Sequence, residues 1–443
     1  IQNVVTLDGI IYVGATNRIY ALAPSLTKLS EYRTGPLLAN QTCGQKVANA
    51  SSGGGRKDNL NVALVVENIY DKGLFSCGSA DNGVCRRHVL EDDVSLDEEG
   101  VDEFTDLKQD KGQPRDSDVV VSPSGSQVLN VESNMIMFFV GNSEIPGSGN
   151  VTGPTARPHT MSLRKMKTSQ NGFTFFSNRS YMDLIPPLRG SYYLRYVYSF
   201  HSGPFTYFLT VQQVSKDSQT YHTRIVRMCS SDHDIRRYVE MPLECISTDS
   251  MEDVKVFNIL QAATVTKVGS DVELQRQLRL EEGDDVLFAA FARGKPNSTE
   301  ATPNSAICVM SLKLINSMFK MYMQKCNTVD LYHFTGSDKK SCYNVSSSDD
   351  CDPHEGIHEG KEGKYRLQVT QFVQRLEYWQ KVLTNTLVTS ITVVTVHGRA
   401  VGYLGTADGR HIQVVFSRFA SPHVNIRLDS RPVSGSVVLP GQD

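Results

Sequence analysis

Tryptophan is almost missing from this chain of 443 residues, which holds a single one, Trp379. Rings built on a Trp-Asp pair in every blade need it repeatedly, and so do Kelch blades and sialidase Asp boxes, so none of these is the template. Long apolar runs are missing too: nothing approaches the ~20 residues of a membrane-crossing helix. Charge of one sign is not in excess, because 45 Lys plus Arg face 48 Asp plus Glu for a formal net charge of −3. No basic stripe of the kind that phosphate binding needs stands out, which argues against a nucleic-acid partner. Zinc-type Cys-x-x-Cys or Cys/His pairs are lacking. So are the G-x-x-x-x-G-K-[ST] phosphate cradle, the G-x-S-x-G elbow and the kinase catalytic-loop signature. The glycine run Ser51–Gly55 has no flanking strand–helix unit and reads as a flexible loop. Nothing here supports catalysis, a cofactor or a metal.

What is present points outside the cell. The chain has nine cysteines, which disulfides explain better than metal binding. Glycosylation sequons begin at Asn40, Asn49, Asn150, Asn178, Asn297 and Asn344, all in polar, turn-like stretches where a glycan has room. No signal peptide opens the chain, and Ile1 falls straight into a strand-like segment, so a processed or trimmed start is predicted.

One pattern occurs near both ends. "YVGATNRIYAL" (Tyr12–Leu22) and "YLGTADGRHIQVV" (Tyr403–Val415) share the order aromatic, aliphatic, Gly, small residues, Asn or Asp, then a second apolar run. Each reads as a hairpin. Asp408-Gly409 is the dipeptide of a two-residue turn whose positions both need positive φ, and Asn17 takes the same role less comfortably. Further strands are predicted at Asn61–Val66, Met135–Val140, Tyr192–Tyr198, Phe205–Gln212, His222–Met228, Phe257–Ala263, Val286–Ala292 and Leu387–His397. Apolar spacing of three and four predicts helices over Leu312–Met323 and Tyr365–Leu383. Glu91–Asp110 is acidic and poor in apolar residues and reads as a solvated loop insertion, extending over 91–116; Lys339–Lys364 is a second, polar insertion.

At 443 residues the chain exceeds the ~250–300 that one ordinary core serves, so it is several domains or one domain repeated around a centre. Short strands with the same hairpin at both ends suggest a β-propeller, in which the first and last blades are neighbours. "HEGIH" (His354-Glu355-Gly356-Ile357-His358) matches the H-E-x-x-H zinc-hydrolase pattern, with Glu355 as general base. However, Pro353, Gly356 and Gly360 break the helix that would align His354 with His358. A solvated loop with chance spacing is the better reading.

Several stretches, in order along nearly the whole chain, carry a resemblance: "EYRTGP" (Glu31–Pro36), "KDNLNVALVV" (Lys57–Val66), "CGSADNGVCRRH" (Cys77–His88), "YFLTVQ" (Tyr207–Gln212), "MPLECI" (Met241–Ile246), "VFNILQAA" (Val256–Ala263) and "PHVNIRLDSRPVS" (Pro422–Ser434). The chain resembles the Sema domains of the hepatocyte growth factor receptor branch, the Met/Ron family of receptor tyrosine kinases. The resemblance implies one Sema domain over 1–443: an all-β, seven-bladed β-propeller of four-stranded blades with helical and loop insertions. It implies disulfides Cys77–Cys85, Cys229–Cys351, Cys245–Cys308 and Cys326–Cys342; the first also suits a bracketed hairpin, its cysteines being eight residues apart. Cys43 is left over, because "CGQKVAN" (Cys43–Asn49) and "PRDSD" (Pro114–Asp118) lack the family's further cysteines. The family's basic cleavage run is replaced by "STDSMEDVK" (Ser247–Lys255), which predicts a single intact band on secretion. Asp443 falls before the family's last closing strand, so that strand is expected to be missing.

The implied function is non-catalytic: a ligand-binding module on the extracellular face of the plasma membrane, or secreted if the chain is truly truncated, coupled to a tyrosine kinase domain elsewhere in the full receptor. The implied partner is a hepatocyte growth factor-like, plasminogen-related protein, with receptor homodimerisation as the output and membrane attachment only through downstream segments. Its docking loops would fall at Asn68, Ile69, Tyr70, Asp71 and Lys72, at Glu132–Met135 (Ser133, Asn134, Met135), and at Lys165–Asn171 (Lys165, Lys167, Asn171), with Tyr70 as the aromatic anchor. The alternatives are a plexin or semaphorin relative, used in adhesion and guidance, and the zinc hydrolase on His354-Glu355-His358.

Overall fold

Antiparallel strands joined in chain order build almost every sheet of this protein. The computed structural model describes residues 1–38, 56–67, 73–80, 83, 85–90, 101–103, 120–132, 136–147, 157–166, 173–250, 253–267, 271–341, 351, 365–370, 377–416 and 422–427. Two compact units contain them, one from Ile1–Asp183 and the other from Leu184–Val438.

In the first unit, β1 (Asn3–Leu7), β2 (Ile10–Ala15), β3 (Arg18–Leu22) and β4 (Lys28–Arg33) form one four-stranded sheet. A short pair follows, β5 (Leu37–Leu38) with β6 (Arg56–Lys57). The next sheet is β7 (Asn61–Glu67), β8 (Gly73–Gly78), β9 (Cys85–Val89) and β10 (Val101–Glu103). The third is β11 (Ser126–Glu132), β12 (Ile136–Asn142), β13 (Met161–Met166) and β14 (Phe173–Phe175), with β15 (Tyr181–Met182) also on β13. The middle strands of these sheets carry consecutive apolar residues and are buried along most of their length, as in β2 and β8. Phe75 and Phe138 meet edge to face at 5.3 Å in a core that includes Ala63, Val121 and Val140. Gly78 permits a close approach there: a Cβ would fall 2.2 Å from Asn59 Oδ1. The buried Asn59 amide accepts from Ala80 N at 2.9 Å and donates to Thr34 O at 2.9 Å, tying two loops together.

The second unit opens with β16 (Leu194–Ser202), β17 (Phe205–Gln213), β18 (Tyr221–Cys229) and β19 (Arg237–Leu243), then the hairpin β20 (Cys245–Ser250) and β21 (Asp253–Phe257). Next come β22 (Ile259–Lys267), α1 (Val272–Leu278), β23 (Asp285–Gly294), β24 (Ala301–Ser311) and α2 (Leu312–Gln324). After them follow β25 (Thr328–Asp330), α3 (Tyr332–Thr335), β26 (Lys340–Ser341), β27 (Tyr365–Val369) and β28 (Glu377–Leu383). The last sheet is β29 (Val388–Val396), β30 (Arg399–Thr406), β31 (Arg410–Val415) and β32 (Pro422–Arg427). β28 completes the sheet β22–β23–β24. β27 joins β19 in parallel, extending that sheet through β25 to β26. Phe288 and Phe416, at 4.7 Å, sit in a core with Val309, Ile391 and Leu404.

Helix α2 matches its prediction. Ser311 Oγ accepts from Leu314 N at 3.2 Å as the N-cap, and Leu312, Ile315, Phe319, Tyr322 and Met323 are buried. Arg227, on β18, lies between the rings of Phe205 and Phe319, 4.3 and 4.7 Å from their centroids, which fastens the helix to the sheet.

Three predictions need correction. Tyr365–Leu383 is not a helix: its described residues are strands β27 and β28. Leu367 and Val369 are buried while the alternating Arg366 and Gln368 are only partly so, and pairing with β19, β25 and β24 overrides the three-and-four spacing. The acidic insertion contains a strand, β10, paired with β9 through Asp102↔Arg87 and Glu103↔Arg86. At Asp408-Gly409 only Gly409 has a positive φ, of 78°. Gly409 N donates to Thr406 O at 3.2 Å, so the connection is a four-residue turn closed by glycine. Of the polar insertion, Lys340–Ser341 form β26 and Cys351 is disulfide-bonded, while 342–350 and 352–364, with the whole of "HEGIH", lie outside the described residues.

Candidate functional site

The expected docking loops are mostly outside the described residues: Asn68, Ile69, Tyr70, Asp71, Lys72, Ser133, Asn134, Met135, Lys167 and Asn171. Lys165 is described. It lies on β13 opposite Met137 and Thr174, with Nζ 5.1 Å from the centroid of Phe176. Beside it, wholly buried Arg164 packs at 4.4 Å over Phe175. His159 Nδ1 lies 2.8 Å from Asp183 Oδ2, and the other carboxylate oxygen accepts from Thr160 N at 3.1 Å. The imidazole stacks on Tyr181 at 3.8 Å and meets Phe175 edge-on. A part-exposed Lys165 thus stands on a strand braced by aromatic contacts and by the His159–Asp183 hydrogen bond. Sequence reading missed the His159–Asp183–Tyr181 brace, whose members are brought together by β15 folding back onto β13.

The strongest electrostatics lie in the second unit. Arg224 and Glu240 form an ion pair with both side chains at 0% exposure. Arg224 Nε donates to His222 Nε2 at 2.6 Å and Nη2 donates to Val214 O at 3.0 Å; with its oxygen turned inward, Gln368 accepts from Nη1 at 3.0 Å. Gln212 Nε2 donates to Glu240 at 3.0 Å, and Gln212 Oε1 accepts from Tyr192 OH at 2.8 Å. His333, from α3, stacks on Tyr192 at 4.9 Å with its Nε2 3.7 Å from Glu240. Burial pushes Glu240 up, but Arg224 outweighs it and the carboxyl is held down to about 2. Burial also holds His333 and His222 below the usual imidazole range, so both rings are neutral near pH 7. The β19↔β27 register, Glu240↔Gln368, brings the chain after α3 back onto this network. It ties β27, and through it β25, to the edge strand β19 of the same sheet.

Disulfides act alongside. Cys77–Cys85, Cys229–Cys351 and Cys245–Cys308 are formed. Cys326 is also disulfide-bonded, while Cys342, its expected partner, and Cys43 lie outside the described residues. Among the sequons, Asn178 and Asn297 are described and exposed, and Asn40, Asn49, Asn150 and Asn344 are outside. Among the described residues no group of three or more His, Cys, Asp or Glu comes together as a metal site, and no helix is long and apolar enough to cross a membrane.

Comparison with known proteins identifies the architecture. The extracellular region of plexin A4, domains 1 to 8, shares the fold at a TM-score of 0.76 and 23% identity, over 98% of this chain and 43% of its own. Drosophila plexin A, solved in complex with semaphorin 1b, matches at 0.57 and 13% identity, over 98% of this chain and 80% of its own. The extracellular domains 1-2 of Drosophila semaphorin 1a match at 0.55 and 15% identity, over 98% and 81%. The chain thus spans less than half the length of the plexin A4 region it resembles. Residues 260–436 match the family model of the Sema domain. Taken with four-stranded antiparallel sheets in chain order, these likenesses show that the chain has the all-β propeller fold of these structures, and that residues 260–436 are similar to the Sema domain.

Proposed function

We propose that this chain is an extracellular protein-recognition module whose partner is a secreted or cell-surface protein. The Sema match over residues 260–436, within a fold shared with plexin and semaphorin structures, carries the reading. The disulfides fit an oxidising compartment. A plexin- or semaphorin-type partner is the first reading, because one structure with this fold was solved bound to a semaphorin. Binding of a plasminogen-related growth factor is the second, favoured by the ordered stretches from Glu31 to Ser434 quoted above. A seven-bladed ring, receptor homodimerisation and a Cys326–Cys342 bond belong to that same proposal.

In either case the loops at Asn68–Lys72, Glu132–Met135 and Lys165–Asn171 are the proposed contact surface, with part-exposed Lys165 supplying charge. Cells displaying a semaphorin ectodomain, stained with the Fc-fused chain with and without competing growth factor, test the reading. Staining that Lys165→Glu weakens supports this surface. Staining unchanged by Lys165→Glu and by Tyr70→Ala would move the contact elsewhere.

A further inference from the structure

The two described sequons differ in what folding does to them. Asn178 is exposed in the turn between β14 and β15, but the hydroxyl two residues on belongs to Ser180, which is 0% exposed. Ser180 Oγ accepts from Ser177 N at 2.9 Å and lies 3.3 Å from Ser177 Oγ. Asn297 stands at the exposed tip of the β23–β24 hairpin with a φ of 52°. The hairpin closes beneath it by itself: Lys295 N donates to Glu300 O at 2.9 Å, Lys295 Nζ meets Glu300 Oε2 at 2.6 Å, and Glu300 N donates to Ser298 Oγ at 3.1 Å. Thr299 is partly exposed, and among the described residues neither Asn297 nor Thr299 has a side-chain hydrogen-bond partner. Glycan transfer needs both the asparagine amide and the hydroxyl at +2. Folding leaves both reachable at Asn297 and removes the second at Asn178.

We infer that Asn297 is an N-glycosylation site which the folded hairpin keeps open, whereas Asn178 is closed as its turn forms. The donor class is an oligosaccharide carried on a lipid diphosphate. A bond forms between the Asn297 amide nitrogen and the anomeric carbon, and the bond from that carbon to the diphosphate oxygen breaks. The lipid diphosphate leaves with the electron pair, and the amide loses one proton; nothing is oxidised or reduced. A glycan there also removes the β23–β24 tip from the surface open to a protein partner. The inference rests on the extracellular reading, because donor and transferase belong to the secretory compartment.

The test is site-by-site occupancy in the full chain, secreted from mammalian cells behind a signal sequence. Enzymatic glycan release in ¹⁸O water marks each formerly occupied Asn for mass spectrometry. Asn297 is expected to be occupied in most molecules and more fully than Asn178. Thr299→Ala is expected to remove the mark at Asn297 alone while leaving the secreted yield and Tm unchanged, and Thr299→Ser to retain it. A secreted, oxidised chain bearing glycans at other sequons but bare at Asn297, or one in which Asn178 equals Asn297, overturns the inference and spares the extracellular reading. A chain retained in the cell, with free thiols at Cys77 and Cys85 and no glycan anywhere, overturns that reading itself.

Discussion

Replacing Glu240 by Gln deletes the charge that balances Arg224 while keeping the side chain's size. Arg224 remains ionised, because a guanidinium does not lose its proton at any pH the fold tolerates. It would keep only the neutral acceptors His222 Nε2, Val214 O and Gln368. Breaking one side of a buried pair costs about 3–5 kcal/mol. In a body the size of the second unit, Leu184–Val438, each kcal/mol moves Tm by roughly 2–4 °C. The expected fall is therefore about 6–20 °C in the transition that contains this unit, read by scanning calorimetry. Arg224→Met combined with Glu240→Gln removes both charges, so the double variant should be less destabilised than the sum of the two single ones. The pH dependence follows from the lowered carboxyl. Held down to about 2 in the fold against an ordinary 4.5, Glu240 contributes stability that is fully present above pH ~4.5 and is lost as pH falls toward 2. Glu240→Gln should flatten that acid slope. A Tm loss below about 3 °C, strictly additive variants and an unchanged acid slope would together refute the reasoning.

Three further outcomes are expected. Gly78→Ala places a Cβ 2.2 Å from Asn59 Oδ1, and should cost about 1–3 kcal/mol by urea denaturation. Gly283→Ala, which meets open space, should stay within about 0.5 kcal/mol; equal losses would contradict the close-approach argument. Removing Cys229–Cys351, which closes 122 residues, should cost up to about 5 kcal/mol, and removing Cys77–Cys85, which closes 8, about 2.5 kcal/mol. The reverse order in calorimetry would show that loop closure is not the governing term. Lys165→Glu should slow association with the protein partner and reduce its salt dependence, with little effect on Tm; an unchanged association rate would remove Lys165 from the contact.

Much of the strand pattern was legible because short runs of apolar and β-branched residues bounded by turn residues are a local signal, and β17, β18 and β23 are buried almost throughout. Phe205–Gln212 is nearly all of β17, His222–Met228 lies within β18, and Val286–Ala292 lies within β23. The pattern shared by the chain ends proves wider than two copies. A glycine late in the second strand of its sheet recurs as Gly14 in β2, Gly78 in β8, Gly141 in β12 and Gly405 in β30. The two quoted stretches are the middle hairpins of two different sheets, β2–β3 and β30–β31. What escaped reading was non-local. Nothing near Tyr365 announces that β27 will run parallel to β19, more than a hundred residues earlier. The buried network was equally hidden, since Arg224, Glu240, His333 and Gln368 are ordinary polar letters until the sheet register sets them side by side. Helix α1 was missed because seven residues give too little periodicity, although its cap, Asp271, which accepts from Leu274 N at 3.0 Å, is the residue type a helix start favours.

Surface plasmon resonance with the secreted, oxidised chain tests the recognition claim most directly. A semaphorin ectodomain and a plasminogen-related growth factor are the analytes, at low and physiological salt. The account predicts saturable binding to one of them with Kd at or below about 1 μM, some 8 kcal/mol of association free energy. A chain that unfolds cooperatively, carries its disulfides and binds neither would contradict it.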